Sequence, residues 1–510
     1  MALPSPTRTA AADAPTLVVV AAGAASVALY AYAASAISLA EFFPGPEGIS
    51  LDWVKMLGPG RAGPAWAYLG VVIAAFSLYA AAVVATWRGR GRVSTTLLVA
   101  FPAALAVALV PMYPPTAVDL FHYHADARTL WVVQANPLVV PPQETAYPIG
   151  ISWQEQPSPY GPVWSLLTAV VAPLMVWGDH HLAALLAFKV LAGAAFLGCA
   201  WMVYRLAERF VPGRGMLAFV LFAWNPFVLL RAVGNGHNDL VMMLFALLAI
   251  EAAARRDWRG AFPLLAISAL IKYTTALLGP PMLLYAWAHT PGTPRERARA
   301  LAPALGIAAA MTVVAYVPFW AGLDTFDTVR RQTELMITSV PELVQATLAL
   351  RTDDALATAI ARQGLIAVVV LIAIPVTWGS RRSVDRLVIG GFTLLFLYLV
   401  IASAWFRPWY MLWPATLVLL RPNGWGITLF FTITIGNSFT DLVELYRYDW
   451  GLAGPYWTRL APLATQFAAP LAIWLAALAR HGDVWLGDAG IATRPSVAAA
   501  AIEGRRASTG

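Results

Sequence analysis

Runs of about 20 apolar residues, each long enough to cross a hydrocarbon core of roughly 30 Å, recur along nearly the whole chain. No other feature restricts its possible folds so severely. Inside lipid a backbone N–H or C=O finds no water, so each crossing segment must satisfy its own hydrogen bonds, and these runs must be helices. The expectation is an all-α polytopic membrane protein, multi-pass in the cell membrane. Composition agrees. Of 510 residues 59% are hydrophobic and only 12% charged, against about 25% charge in a soluble globular domain. The net charge of +7 does not indicate nucleic acid, because the Arg residues stand in short clusters between apolar runs. The single cysteine, Cys199, lies in an apolar run and cannot form an internal disulfide.

Charge also orients the chain. Clusters occur at Arg88, Arg90 and Arg92; at Arg205, Arg209 and Arg214; at Arg255, Arg256 and Arg259; at Arg295, Arg297 and Arg299; and at Arg381, Arg382 and Arg386. Short Arg-rich loops stay in the cytoplasm, so an even number of crossings is expected between successive clusters. The apolar stretch 162–177 breaks this rule if it crosses, since every later cluster would then lie outside. It is therefore expected to lie flat on the outer membrane surface as a juxtamembrane helix. Residues 261–287 fall into two apolar halves, each too short to span at 1.5 Å per residue, and read as a short-helix hairpin with Lys272, Tyr273 and Thr274 at its apex. The expected total is about 14 crossings, both termini inside. Residues 1–15 are expected to be a disordered cytoplasmic N-terminus and 481–510 a disordered cytoplasmic tail. Residues 16–480 form one transmembrane domain, with 112–181 its first extracytoplasmic loop. No strong internal repeat favours the folds of transporters.

This threading gathers the polar residues on the outer side: the string opening with Asp119, the stretch Arg231–Asp239, the apex Lys272, and the aromatic string around Arg407. Acidic groups, an apolar groove and buried cations on one face are what sugar transfer from a lipid phosphate requires. A carboxylate takes the proton of the attacking hydroxyl, and cations hold the departing phosphate. No nucleotide is needed, and no phosphate-cradling glycine loop is found. Asp119 is the first candidate for the base; an Asp capping a helix is the plainer alternative. His122 and His124 with Asp119 invite a metal reading, but the spacing fixes no ligand geometry and no other cluster supports it. His237 and Asp239 suit either a helix cap or substrate contact. Lys272 in an apolar hairpin is expensive unless paired or snorkelling, and is a functional candidate by default. An interfacial belt explains the aromatics around Arg407 better than it explains the Arg.

The string Asp119-Leu120-Phe121-His122-Tyr123, then Asn136-Pro137, then Ser158-Pro159-Tyr160-Gly161-Pro162-Val163-Trp164 resembles the first outer loop of GT-C superfamily glycosyltransferases. It is most similar to the actinobacterial α-(1→6)-mannosyltransferases that use polyprenyl-phosphate mannose. Gly236-His237-Asn238-Asp239, Lys272, and Pro408-Trp409-Tyr410 with Trp413-Pro414 match further strings in family order. Leu138 and Ala135 stand where the family commonly has Tyr and Gly. The resemblance implies a GT-C-like bundle that transfers a hexose, mannose in this family, to a glycan or glycolipid acceptor, with inversion. It implies Asp119 as catalytic base and Lys272, His237 and Arg407 as the groups holding the donor phosphate. Tyr123, His122, Tyr160, Asn238, Asp239, Trp409 and Tyr410 are expected to contact substrate. The donor would be a polyprenyl-phosphate sugar; no metal or other cofactor and no nucleic acid are expected, and membrane lipid surrounds the whole. The main alternative is a transporter or flippase of lipid-linked sugars, which would place polar residues at the midplane and at both faces.

Overall fold

The computed structural model describes residues 10–42, 62–89, 93–145, 153–178, 180–332, 334–447, 450–452, 454 and 456–481. Among them regular structure is helical, and extended pairing is limited to isolated bridges such as Ile337 with Trp405. Eight helices are long and apolar enough to cross a membrane: Ala14–Ala36, Trp66–Gly89, His181–Phe210, Pro294–Phe319, Asp354–Ser380, Val384–Ala402, Gly424–Glu444 and Trp457–Arg480. The first helix begins at Ala10, inside the stretch expected to be unstructured. Residues 1–9 and the tail beyond 481 lie outside the described residues.

A ninth span is broken. Gly215–Ala223 and Pro226–Gly234 meet at a bend of 56°. The cause is local. Pro226 has no N–H to continue the ladder, and the Asn225 side chain accepts from the Phe227 and Val228 amides, starting a new helix. The chain then widens into a π-helical turn over Leu230–Gly234.

The about 14 crossings expected from charge exceed this number. The others exist as helices, Thr95–Leu109, Asp239–Ala254, Trp258–Ile271, Gly279–His289 and Leu412–Val418, but the longest of these has 16 residues and measures about 24 Å. An apolar run shows that a segment can sit in lipid; where its helix stops is decided by the neighbours that pack against it.

Residues 162–177 form three short pieces, Pro162–Leu167, Thr168–Val170 and Ala172–Val176. None is long enough to cross. One side is buried through Trp164, Ser165, Val171 and Met175, while Leu166, Val170, Val176 and Trp177 are exposed. Residues 261–287 likewise form two short helices, Trp258–Ile271 and Gly279–His289, joined by a tight turn over Tyr273–Leu278.

The helix Asp239–Ala254 shows how the bundle is polarised. In its last turn Glu251 binds Arg205 at 3.2 Å and Arg255 at 2.5 Å, with Arg209 at 3.8 Å. Three Arg residues from two separate clusters therefore meet at one end. At the other end, about 18 Å away along the axis, Asp239 pairs with Lys272.

Candidate active site

Asp119 is the first residue of the helix Asp119–Trp131, where the unpaired amides of a helix start favour a carboxylate. Its Oδ1 accepts a hydrogen bond from the Tyr160 hydroxyl at 2.9 Å. Tyr160 owes its position to the next residue. The Gly161 N–H donates to the Ile271 carbonyl at 3.1 Å, and the backbones lie so close that a Cβ on Gly161 would stand 2.0 Å from the Leu270 carbonyl oxygen. Only glycine fits. The contact fastens the outer string to the end of the helix Trp258–Ile271, and Lys272 follows immediately.

Lys272 leaves that helix in extended conformation. Its Nζ donates to Asp239 Oδ1 at 2.8 Å and sits 4.8 Å from the Tyr410 ring centre, 5.4 Å from Trp413 and 5.9 Å from Tyr160. The same Asp239 oxygen accepts from the Trp413 indole N–H at 2.6 Å. His237 stacks on Trp409 with ring centres 4.3 Å apart, and its Nδ1 lies 3.9 Å from Asp119 Oδ1 and 4.0 Å from Asp239 Oδ2. Gly236 holds this turn in the left-handed region at φ +76°, open to glycine without strain. Arg407 faces Glu444 at 3.7 Å and the Trp405 ring at 5.0 Å.

These groups surround one cavity of about 1070 Å3. Of the residues singled out from sequence, Asp119, His122, Tyr160, Lys272, Arg407, Trp409 and Tyr410 line it. Tyr123, His237, Asn238 and Asp239 do not. They are fully buried one layer beneath, where Tyr123 packs edge-on to Tyr160 and Trp164 and accepts from the Asn238 N–H at 3.3 Å. In this arrangement they position the wall and are not part of it. His122 and His124 diverge. His124 is buried 3.1 Å from His181, and burial pushes its imidazole down to about 3. Among the described residues no three His, Cys, Asp or Glu side chains are grouped to hold a metal ion.

Burial raises the Asp119 carboxyl above the usual aspartate range, while the Lys272 ammonium, the Tyr160 hydrogen bond and the Arg407 guanidinium pull it back down. The result is a carboxylate that is less hydrated than a surface Asp, and so more basic, yet kept ionisable by two cations.

Sequence reasoning missed two features. Arg231, read as part of an outer loop, is buried. It pairs with Asp441, donates to Asn437 O at 3.0 Å and to Thr116 at 2.5 Å, and Asn235 bonds the same Thr116 hydroxyl at 2.8 Å. Thr116 lines the cavity three residues before Asp119. The far wall, including Thr328, Gln332 and Gln363, was also unforeseen, because nothing local in those strings marks them.

The fold and the site together define, among the described residues, an all-helical, multi-pass membrane protein whose polar side chains gather around a large cavity at one end of the bundle. A sequence profile described as alpha-(1->6)-mannopyranosyltransferase, N-terminal domain, matches residues 17–289. That is more than half of the chain, and the chain belongs to this family. The matched part contains Asp119, Tyr160, Asp239 and Lys272; Arg407, Trp409 and Tyr410 lie beyond it. The chain is similar to alpha-(1->6)-mannopyranosyltransferase B of Corynebacterium glutamicum, 24% identical over 63% of this chain and 56% of the relative. It is similar also to alpha-(1->6)-mannopyranosyltransferase A of the same organism, 22% identical over 37% of this chain and 39% of the relative. A stretch covering 20% of the chain is 29% identical to 17% of an alpha-(1->6)-mannopyranosyltransferase of Mycobacterium tuberculosis. The chain thus spans about half the length of the curated relatives it matches.

Proposed function

We propose that this chain transfers a mannosyl residue from a polyprenyl-phosphate carrier to a glycan or glycolipid acceptor on the extracytoplasmic side. The observation that carries the reading is the pairing of a raised, cavity-facing carboxylate, Asp119, with two cations on the same wall, Lys272 and Arg407. The acceptor hydroxyl gives its proton to Asp119 as its oxygen bonds the anomeric carbon. The bond from that carbon to the phosphate oxygen breaks, and the lipid phosphate leaves against Lys272 and Arg407. A single displacement inverts the anomeric centre. Lys272 spends one N–H on Asp239 and keeps two for the phosphate. Among the described residues, both ring nitrogens of His237 and the side-chain amide of Asn238 have no hydrogen-bond partner. That costs free energy in a buried layer, and an anionic ligand drawn in past Trp409 would relieve it. The exposed apolar side of residues 162–177 suits a membrane surface beside a lipid-borne donor.

Asp119→Asn keeps size and most hydrogen bonding but cannot take a proton. Transfer from radiolabelled polyprenyl-phosphate mannose should fall about 100-fold or more, since a positioned base contributes 10²–10⁴. Donor binding should change little, because the group acts in the transition state. Chelators should leave the native chain active. Near-normal transfer by this variant would sink the assignment.

A further inference from the structure

The cavity is larger than one reactant needs. At about 1070 Å3 it stands at the top of the range of roughly 300–1,000 Å3 for pockets that hold one drug-sized ligand. Asp119, Lys272 and Arg407 account for one part of its wall. Another part is different in chemistry: two tryptophans, Trp153 and Trp405, with Gln156 beside Trp153.

The two indoles meet edge to face, ring centres 5.2 Å apart and planes at 75°. They form a corner with one ring on each side. An interfacial belt would turn such rings toward lipid; these line the same cavity as Asp119. Trp153 is also held at φ +65°, a region that a bulky residue adopts only at a cost and that glycine enters freely. A strained aromatic at a cavity wall points to use of the ring. The corner is coupled to the reacting end from both sides. Trp405 lies under Arg407. On the other side the turn from Trp153 to Gln156, closed by the Gln156 N–H to the Trp153 carbonyl at 2.9 Å, runs on to Tyr160, which bonds Asp119.

We propose that the Trp153–Trp405 corner, with Gln156 beside it, is the subsite for the acceptor glycan and binds the pyranose next to the attacking hydroxyl. The C–H face of a hexopyranose packs on the negative face of an indole, and neutral amides pair with hydroxyls in both directions. Arg331 and Arg362 also line the cavity, so polyprenyl phosphate is the control ligand that separates a sugar subsite from a second anion site. The inference rests on the transferase reading above and assigns the second reactant's place within it.

The test uses the full chain in nanodiscs, without donor, and a short α-(1→6)-linked mannooligosaccharide as the probe, with binding followed by titration calorimetry. Trp153→Gly removes the ring at a backbone conformation that glycine prefers, so the melting temperature should hold or rise. Oligosaccharide binding should weaken about tenfold or more, Trp153→Phe should recover most of it, and binding of polyprenyl phosphate should be unchanged in both. If Trp153→Gly does not fold, Trp405→Leu replaces it, with the same loss expected. Unaltered oligosaccharide affinity in the folded variant, equal loss of polyprenyl phosphate binding, or no oligosaccharide binding by the native chain would each overturn the subsite. Because the readout needs no turnover, failure of Asp119 as the base would leave this result standing, and the two readings fall separately.

Discussion

At the scale of single residues, the site is a problem of keeping charge where lipid surrounds it. Lys272 was expected to be paired, snorkelling or functional; it is paired, with Asp239, and still lines the cavity. Asp119 carries the consequence. Burial lifts its carboxyl and the neighbouring cations lower it. A base must be ionised to act, so transfer should fall as pH drops through the Asp119 value, which lies above that of an ordinary aspartate. Lys272→Met removes a lowering charge, so the acidic limb of the rate profile should move to higher pH, on top of the loss of donor binding. A profile measured at saturating donor separates the two effects. An acidic limb that stays in place would mean that Lys272 does not act on Asp119.

At the scale of elements, short segments are fixed to one another by close backbone contact. Gly161 is the joint between the outer string and the helix ending at Ile271. Gly161→Ala would drive a methyl into the Leu270 carbonyl. The variant should lose about 1–3 kcal/mol of stability, seen as a lower melting temperature in detergent. Its donor KM should rise because Tyr160 and Lys272 separate. A normal melting temperature with normal kinetics would show the joint to be dispensable. Beyond the break, the buried Arg231–Asp441 pair ties the turn before Gly236 to the helix Gly424–Tyr446. Asp441→Asn alone should destabilise by roughly 3–5 kcal/mol, because it leaves a buried charge uncompensated, whereas Arg231→Met with Asp441→Leu together should be far milder. Equal melting temperatures for the single and double variants would contradict that account.

At the scale of the whole molecule, one helix separates two electrostatic worlds: the Arg cluster about Glu251 and the Asp239–Lys272 pair beneath the cavity wall. The positive-inside bias predicts the first in the cytoplasm and the second outside. The native Cys199 is buried, so introduced thiols report cleanly. Glu155→Cys, at an exposed position near the cavity mouth, should react with an impermeant thiol reagent added to intact cells. Arg295→Cys, exposed near the opposite end, should react only after permeabilisation. The reverse pattern would invert the topology and put the proposed site on the cytoplasmic side.

The sequence alone determined the lipid-facing helical class, because hydrophobic length and backbone hydrogen bonding admit no other solution. It also determined that 162–177 lies outside the crossing pattern, because Arg placement leaves no consistent crossing for it, and that 261–287 is a hairpin, because each half is too short to span. Its family strings named Asp119, Tyr160, Lys272, Trp409 and Tyr410, which line the cavity. It could not tell which of those side chains face the cavity. His237, Asn238 and Asp239 sit in the same string as residues that look functional, yet the turn at Gly236 and the stacked Trp409 place them beneath the wall. Nor could it show that Trp153, Gln332 and Gln363 share a cavity with Asp119, or that Arg231 turns inward to Asp441. Most of those relations join segments more than two hundred residues apart. They depend on how helices of unequal length pack and where each one stops, which local apolarity and charge do not encode.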